Sequence, residues 1–109
     1  MATFFRNEVV KNVGTTPVKV IETNGATRAT VIGLSFTNLT DKFVYVNVEL
    51  QSQDSARGFY LKDSILPSGT SLRAVSTGEK LILATSNAMY VSSTLDDSVD
   101  VIIRYVEIT

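Results

Sequence analysis

Four groups of side chains in this sequence have the types and spacing for chemistry. Asp96, Asp97 and Asp100 crowd one short segment, and carboxylate oxygens at that density can hold a calcium ion. Their spacing does not match an EF-hand loop, and Asp is favoured in turns because its side chain bonds nearby backbone N–H groups. The cluster is therefore read as a turn, and no metal is assigned to it. Glu49, Asp54 and Asp63 could supply the acid and base carboxylates of glycoside hydrolysis, a chemistry that also needs a deep groove. Arg57-Gly58-Phe59-Tyr60-Leu61-Lys62 combines cations with rings, as in nucleic-acid faces where bases stack on aromatics and cations hold phosphate. A strand with basic borders accounts for the same residues. Asn38-Leu39-Thr40 matches the glycosylation pattern Asn-x-Ser/Thr. Met1 to Glu8 has no continuous apolar stretch of the signal-peptide kind, so delivery to a glycosylating compartment is not expected and the segment too is read as a turn.

The residue types that are missing narrow the field further. The 109 residues include no His, no Cys and no Trp, which removes disulfides, thiolate metal sites and the imidazole used most often in acid–base catalysis. Function is expected in surfaces, and neither an enzymatic activity nor a cofactor is expected. A net charge of -1 gives no general attraction to nucleic acid or anionic membrane. Neither is expected as a partner, which leaves protein. With 44% hydrophobic and 19% charged residues the chain is too apolar for a disordered tail. Its length suits one domain, and no stretch approaches the apolar length of a membrane-spanning helix.

The elements that must position these groups read as strands throughout. Alternation of period two places Ile32, Leu34 and Phe36 on one face of the segment from Arg28 to Asn38. It places Val44, Val46, Val48 and Leu50 together in the next segment, and Val99, Val101, Ile103 and Tyr105 together in the last. Gly14 and Pro17 mark a corner, with Gly14 supplying positive φ. Asn24-Gly25 marks a tight hairpin turn, and Pro67-Ser68-Gly69 a break. Two hairpins are predicted, one joining Arg28–Asn38 to Phe43–Leu50 and the other joining Ala88–Ser92 to Val99–Tyr105. Residues 1–109 are predicted to form a single all-β domain, an antiparallel β-sandwich of about eight strands for which a jelly roll is one arrangement. Residues 1–11 are assigned to an interacting N-terminal arm or edge strand. Phe4 and Phe5 are adjacent and point to opposite faces, so one of them is available to a neighbouring subunit. Phe4, Phe5, Val9, Phe59 and Tyr60 form the candidate interface.

The order of these motifs carries a resemblance. Gly14-Thr15-Thr16-Pro17-Val18-Lys19-Val20, the Asn24-Gly25 turn, Thr30 to Asn38, and Leu66-Pro67-Ser68-Gly69-Thr70-Ser71-Leu72 occur in sequence. They are followed by Gly78-Glu79-Lys80-Leu81-Ile82-Leu83, Met89 to Ser93, and Val99 to Thr109. Over most of its length the chain resembles small β-rich virion proteins of tailed phages, including phages of cyanobacteria. The resemblance implies a non-enzymatic structural protein located in the virion and assembled in the host cytoplasm. Within that role the leading expectation is a homo-oligomer that acts as capsid decoration or cement, bridging capsomers of the major capsid protein by avidity on a repeated lattice. A neck, tail or baseplate component is the alternative within that class. A carbohydrate-binding module displaying Tyr45, Phe59, Tyr60 and Tyr90 is the alternative outside it, weakened by the lack of Trp.

Overall fold

Residues 2–75 and 81–109 are described by a computed structural model, in which no helix forms among the described residues. Nine strands follow one another: β1 (Thr3–Val13), β2 (Val18–Glu22), β3 (Arg28–Asn38), β4 (Val44–Gln51), β5 (Arg57–Leu66), β6 (Ser71–Val75), β7 (Leu81–Leu83), β8 (Ala88–Ser93) and β9 (Val99–Ile108). They build two antiparallel sheets, ordered β1-β9-β3-β6 with β7 also on β3, and β2-β8-β4-β5. The expected antiparallel sandwich is observed. Of the segments in the closing sequence pattern, Gly78, Glu79 and Lys80 lie outside the described residues.

The pairings nest from the outside inward: β1 with β9, β2 with β8, β3 with β6 and β7, and β4 with β5. This is one long ribbon, folded back at residues 52–56 and rolled so that successive arms fall in opposite sheets. Such winding is the jelly roll. The strand count rises to nine because β6 and β7 pair with successive stretches of β3.

The rolled topology overturns both predicted hairpins, because β3 and β4 lie in different sheets and so do β8 and β9. Alternation reports which face of a strand is apolar but not which neighbour it bonds. The Asn24-Gly25 turn forms, yet it too joins two sheets. Asn24 Oδ1 accepts from Ala26 N at 2.8 Å and from Thr27 Oγ1 at 3.1 Å. The turn is therefore held by the asparagine side chain rather than by left-handed backbone.

The core lies between the sheets and contains Val13, Val31, Leu34, Phe36, Val44, Val46, Val48, Leu83, Met89, Val91, Val101 and Ile103. The alternation expected for β4 and β9 is borne out, with Val44, Val46, Val48, Val99, Val101, Ile103 and Tyr105 buried and Leu50 packed against the core at the strand end. In β3 the expectation fails at Ile32, which is 41% exposed. Between Val31 and Gly33 the register against β9 slips by one residue. A bulge therefore moves the inward face from odd positions (Ala29, Val31) to even ones (Leu34, Phe36).

At the β1–β2 corner the left-handed residue is Asn12 (φ 57), not Gly14. Gly14 is needed for proximity, since a Cβ there would stand 2.8 Å from Asp96 Oδ1 and 3.0 Å from Asp96 Cα. Gly14→Ala is expected to destabilise the fold by about 1–3 kcal/mol through overpacking. Chemical denaturation reads this as a lower midpoint with an unchanged slope.

Candidate functional site

The structure disperses the groups suspected of catalysis and assigns each a local role. Asp96 Oδ1 accepts from Thr15 N at 3.2 Å and Thr15 Oγ1 at 2.9 Å. Those bonds hold its carboxyl below the usual carboxylate range. Asp100 Oδ1 accepts from Asn12 N at 3.0 Å, while Asp97 occupies a left-handed turn position with φ 52. Two of the three carboxylates thus pin the β1–β2 corner to the end of the sandwich. No cluster of three acidic residues able to hold a metal forms among the described residues.

Glu49, Asp54 and Asp63 do not converge. Glu49 faces outward on β4 beside Arg57, at 3.5 Å. Asp54 sits in the 52–56 turn, where the Ser52 hydroxyl and then Ala56 N–H lower its pKa. A general acid needs the opposite shift. Asp63 lies in a bulge of β5, its backbone N–H bonded to Asn47 Oδ1 at 2.8 Å. The depression at this end of the sandwich is lined by Glu22, Asn24, Gln51, Gln53, Ser86 and Asn87. It offers amides, hydroxyls and a single carboxylate.

Asn38, the glycosylation candidate, is 2% exposed. Its Nδ2 donates to Lys42 O at 2.8 Å, Leu66 O at 3.0 Å and Pro67 O at 3.2 Å. Its Oδ1 accepts from Thr40 N and Thr40 Oγ1, both at 2.8 Å. The amide nitrogen that a glycan would need is enclosed, and it ties the β3–β4 connection to the end of β5.

The five candidate interface residues divide between two distant edges. Phe4, Phe5 and Val9 lie on β1, the edge of the first sheet, whereas Phe59 and Tyr60 lie on β5, the edge of the second. Phe4 is 43%, Phe5 79% and Val9 60% exposed. Phe59 faces outward with Lys62 Nζ 4.7 Å from its ring centre. Tyr60 turns inward, packs against the core and donates to Ala74 O of β6 at 3.3 Å, so it closes the sandwich and the five residues do not form one patch. Tyr45, Phe59 and Tyr90 share the outer face of the second sheet. Arg57 covers the Tyr90 ring at 4.1 Å, and Phe43 meets Tyr45 edge-on at 5.6 Å. These contacts take up surface that sugar stacking would use.

The edges of the two sheets differ in regularity. β5 carries two register shifts against β4, and β2 and β6 carry one each against their partners. β7 is three residues long. Bulges and shortness are the devices by which sheets discourage further strands from pairing. β1 also carries one shift, between Val10 and Val13, but it lies at one end and leaves eight successive positions in unbroken register, from Thr3↔Ile108 to Val10↔Val101. Its residues Thr3 to Val9 are exposed on both faces. Outward from it runs a row placed by register and apolar but for one threonine: Phe5, Val106, Thr30 and Ile82 lie side by side across four strands. Ile102 and Ile82, 45% and 67% exposed, were not singled out from the sequence. Their signals were the runs Val101-Ile102-Ile103 and Leu81-Ile82-Leu83, in which strict alternation must leave the central isoleucine outside.

A jelly-roll sandwich with one unblunted edge and an apolar outer face beside it is the class that this fold and surface define. No protein-family model matches the chain, and no curated protein matches it. Among solved structures, one similar chain comes from Bacillus endospore appendages, described as a novel family of disulfide-linked pili. Its TM-score is 0.58 at 9% identity, and the match covers 98% of this chain and 88% of that one. A second comes from the T13 IBDV viral particle, with a TM-score of 0.56 at 9% identity, covering 96% of this chain and 30% of that one. The present chain therefore spans less than a third of the viral one. At this identity the likeness is one of fold.

Proposed function

We propose that this chain is a non-enzymatic structural subunit of a virion, placed on the shell as a decoration or cement protein that bridges capsomers of the major capsid protein. The observation that carries the reading is the β1 edge: eight consecutive positions in unbroken register, the first seven of them exposed on both faces, beside the apolar residues Phe5, Val9, Ile102 and Ile82. An edge of this kind presents N–H and C=O groups to another chain, and neighbouring side chains then decide which chain fits. The fold likeness to a virus-particle chain and to a pilus chain supports a subunit of an assembly. Since the sequence contains no cysteine, its association does not use the disulfide links of those pili. On a repeated lattice, several modest contacts made at once give high avidity.

Light scattering during size exclusion, performed on the protein alone and after mixing with bare shells of the major capsid protein encoded in the same genome, tests this reading. A small oligomer that co-elutes with the shells is expected. Failure to bind shells together with binding to purified tails would move the protein to the neck, tail or baseplate.

A further inference from the structure

We propose that the partner of the β1 edge is the β1 edge of a second copy, paired antiparallel about a two-fold axis through Asn7. The inference deepens the structural-subunit reading by naming the contact. Three observations lead to it.

The first is the direction of the free backbone groups. Ala2 and Thr109 exchange both backbone hydrogen bonds, Ala2 N to Thr109 O at 3.2 Å and Thr109 N to Ala2 O at 3.0 Å. In an antiparallel ladder such pairs alternate with non-bonded ones. Along the unbroken register the even positions Phe4, Arg6, Glu8 and Val10 therefore bond to β9. The N–H and C=O groups of Thr3, Phe5, Asn7 and Val9 point to the open side. Only registers that set odd residues against odd residues can then form a bonded ladder.

The second is the side-chain pattern Phe4-Phe5-Arg6-Asn7-Glu8-Val9-Val10, which reads as its own complement. With Asn7 on the axis, Arg6 stands opposite Glu8 of the partner subunit, Phe5 opposite Val9 of the partner subunit, and Phe4 opposite Val10 of the partner subunit. Each pair recurs by symmetry. Opposite charges and apolar pairs directly across a ladder are stabilising, and like charges are not. A shift of one step in either direction sets Arg6 against Arg6 or Glu8 against Glu8 at the axis. The charges therefore select one register among those the backbone allows.

The third is that the required side chains are accessible. Arg6 and Glu8 are exposed on the inner side of β1. Arg6 is held over the Phe4 ring at 5.0 Å and bonded through Nε to Glu107 Oε1 at 3.2 Å. A guanidinium has five N–H donors, so this contact leaves others for a second carboxylate. The two-fold contact uses the same patch on both subunits and joins their first sheets into one continuous sheet, and both β1 edges are then closed.

The test is a charge exchange followed by sedimentation. Arg6→Glu and Glu8→Arg each set like charges opposite at both ends of the axis, and each alone is expected to weaken self-association about a hundredfold. Mixed one to one, the two variants meet with every charge pair restored, and heterodimers should form within about tenfold of the wild-type affinity. A structural role of Arg6 through Glu107 alone would not be rescued by mixing. Either variant associating as tightly as the wild type, or a mixture no tighter than its components, overturns the proposal. A second readout needs no variant: the amides of Phe5, Asn7 and Val9 should gain hydrogen-exchange protection as wild-type concentration rises through dimerisation, and unchanged protection also overturns it. A wild type that binds shells but stays monomeric in solution overturns the β1 dimer and leaves the virion-subunit reading standing. A charge-exchange dimer that ignores shells supports the dimer and removes the cement reading.

Discussion

Asn38→Asp lowers the melting temperature by roughly 15–25 °C at neutral pH, the shift expected when a buried charge without a partner costs about 3–5 kcal/mol in a domain of this size. The substitution preserves shape and changes one group, replacing the Nδ2 donor with a carboxylate oxygen. That oxygen would face the carbonyls of Lys42, Leu66 and Pro67, all acceptors, at a position only 2% exposed. The sign of the pH dependence follows from the same geometry. The folded state favours the protonated acid, so its pKa rises above the unfolded value of about 3.9. The charge penalty is absent below the unfolded pKa and accumulates as pH rises toward the folded pKa. The variant should therefore recover much of its deficit relative to wild type as the pH falls toward about 3. Asn38→Ala, which introduces no titrating group, should show a deficit independent of pH. Scanning calorimetry at several pH values distinguishes the two. An Asn38→Asp deficit as large in acid as at neutrality would refute the assignment of Nδ2 as the donor.

The second large effect separates core from assembly surface. Phe36, at 1% exposure, is the largest of the fully buried side chains, and Phe36→Ala should cost about 3–5 kcal/mol and lower the melting temperature by roughly 15–30 °C. That is a large share of the roughly 5–15 kcal/mol that holds a small domain together. Phe5 is 79% exposed, so Phe5→Ser should change stability by no more than about 0.5 kcal/mol. Its effect belongs to association, where loss of an aromatic anchor should weaken self-association and shell binding by about tenfold or more. Paired measurements on the two variants, thermal unfolding beside sedimentation and shell binding, should show opposite profiles. A Phe5→Ser protein that melts far below wild type while assembling normally would return Phe5 to its own core and remove it from the interface.

What the sequence disclosed and what it hid have separate physical causes. Alternation identified the inward residues of β4 and β9 because their inward faces keep one parity through Val44, Val46 and Val48 and through Val99 to Tyr105. It misassigned Ile32 because a bulge changes the phase of β3 at Gly33, an isolated glycine that simple alternation passes over although such a residue in a strand often marks a bulge. The hairpins were misread because apolar patterning constrains faces, while the choice of neighbour depends on how the whole ribbon rolls. Asn38 looked like a surface turn because the Asn-x-Thr pattern is local. Its three backbone acceptors come from Lys42, Leu66 and Pro67, two of them far along the chain. The candidate interface was half legible: two adjacent phenylalanines on a terminal strand pointed to β1, whereas the pull of Tyr60 toward Ala74 depends on the meeting of β5 and β6 across the sandwich. The spacing of Arg6 and Glu8 was visible from the start, but it acquired meaning only when the regular register of β1 set it on an open edge.

The nested pairing of the ribbon also sets an order of assembly within the single chain. Joining β4 to β5 closes only the 52–56 turn, whereas joining β1 to β9 closes nearly the whole sequence, and the entropy lost on closure grows with the length enclosed. Zippering is therefore favoured from the β4–β5 turn outward, each completed pair shortening the loop that the next must close. On that route β1 docks late, after β9 has been placed between it and β3. The template that receives a neighbour is thus completed only once the rest of the subunit has folded, which limits the time a half-folded chain offers that edge to other half-folded chains.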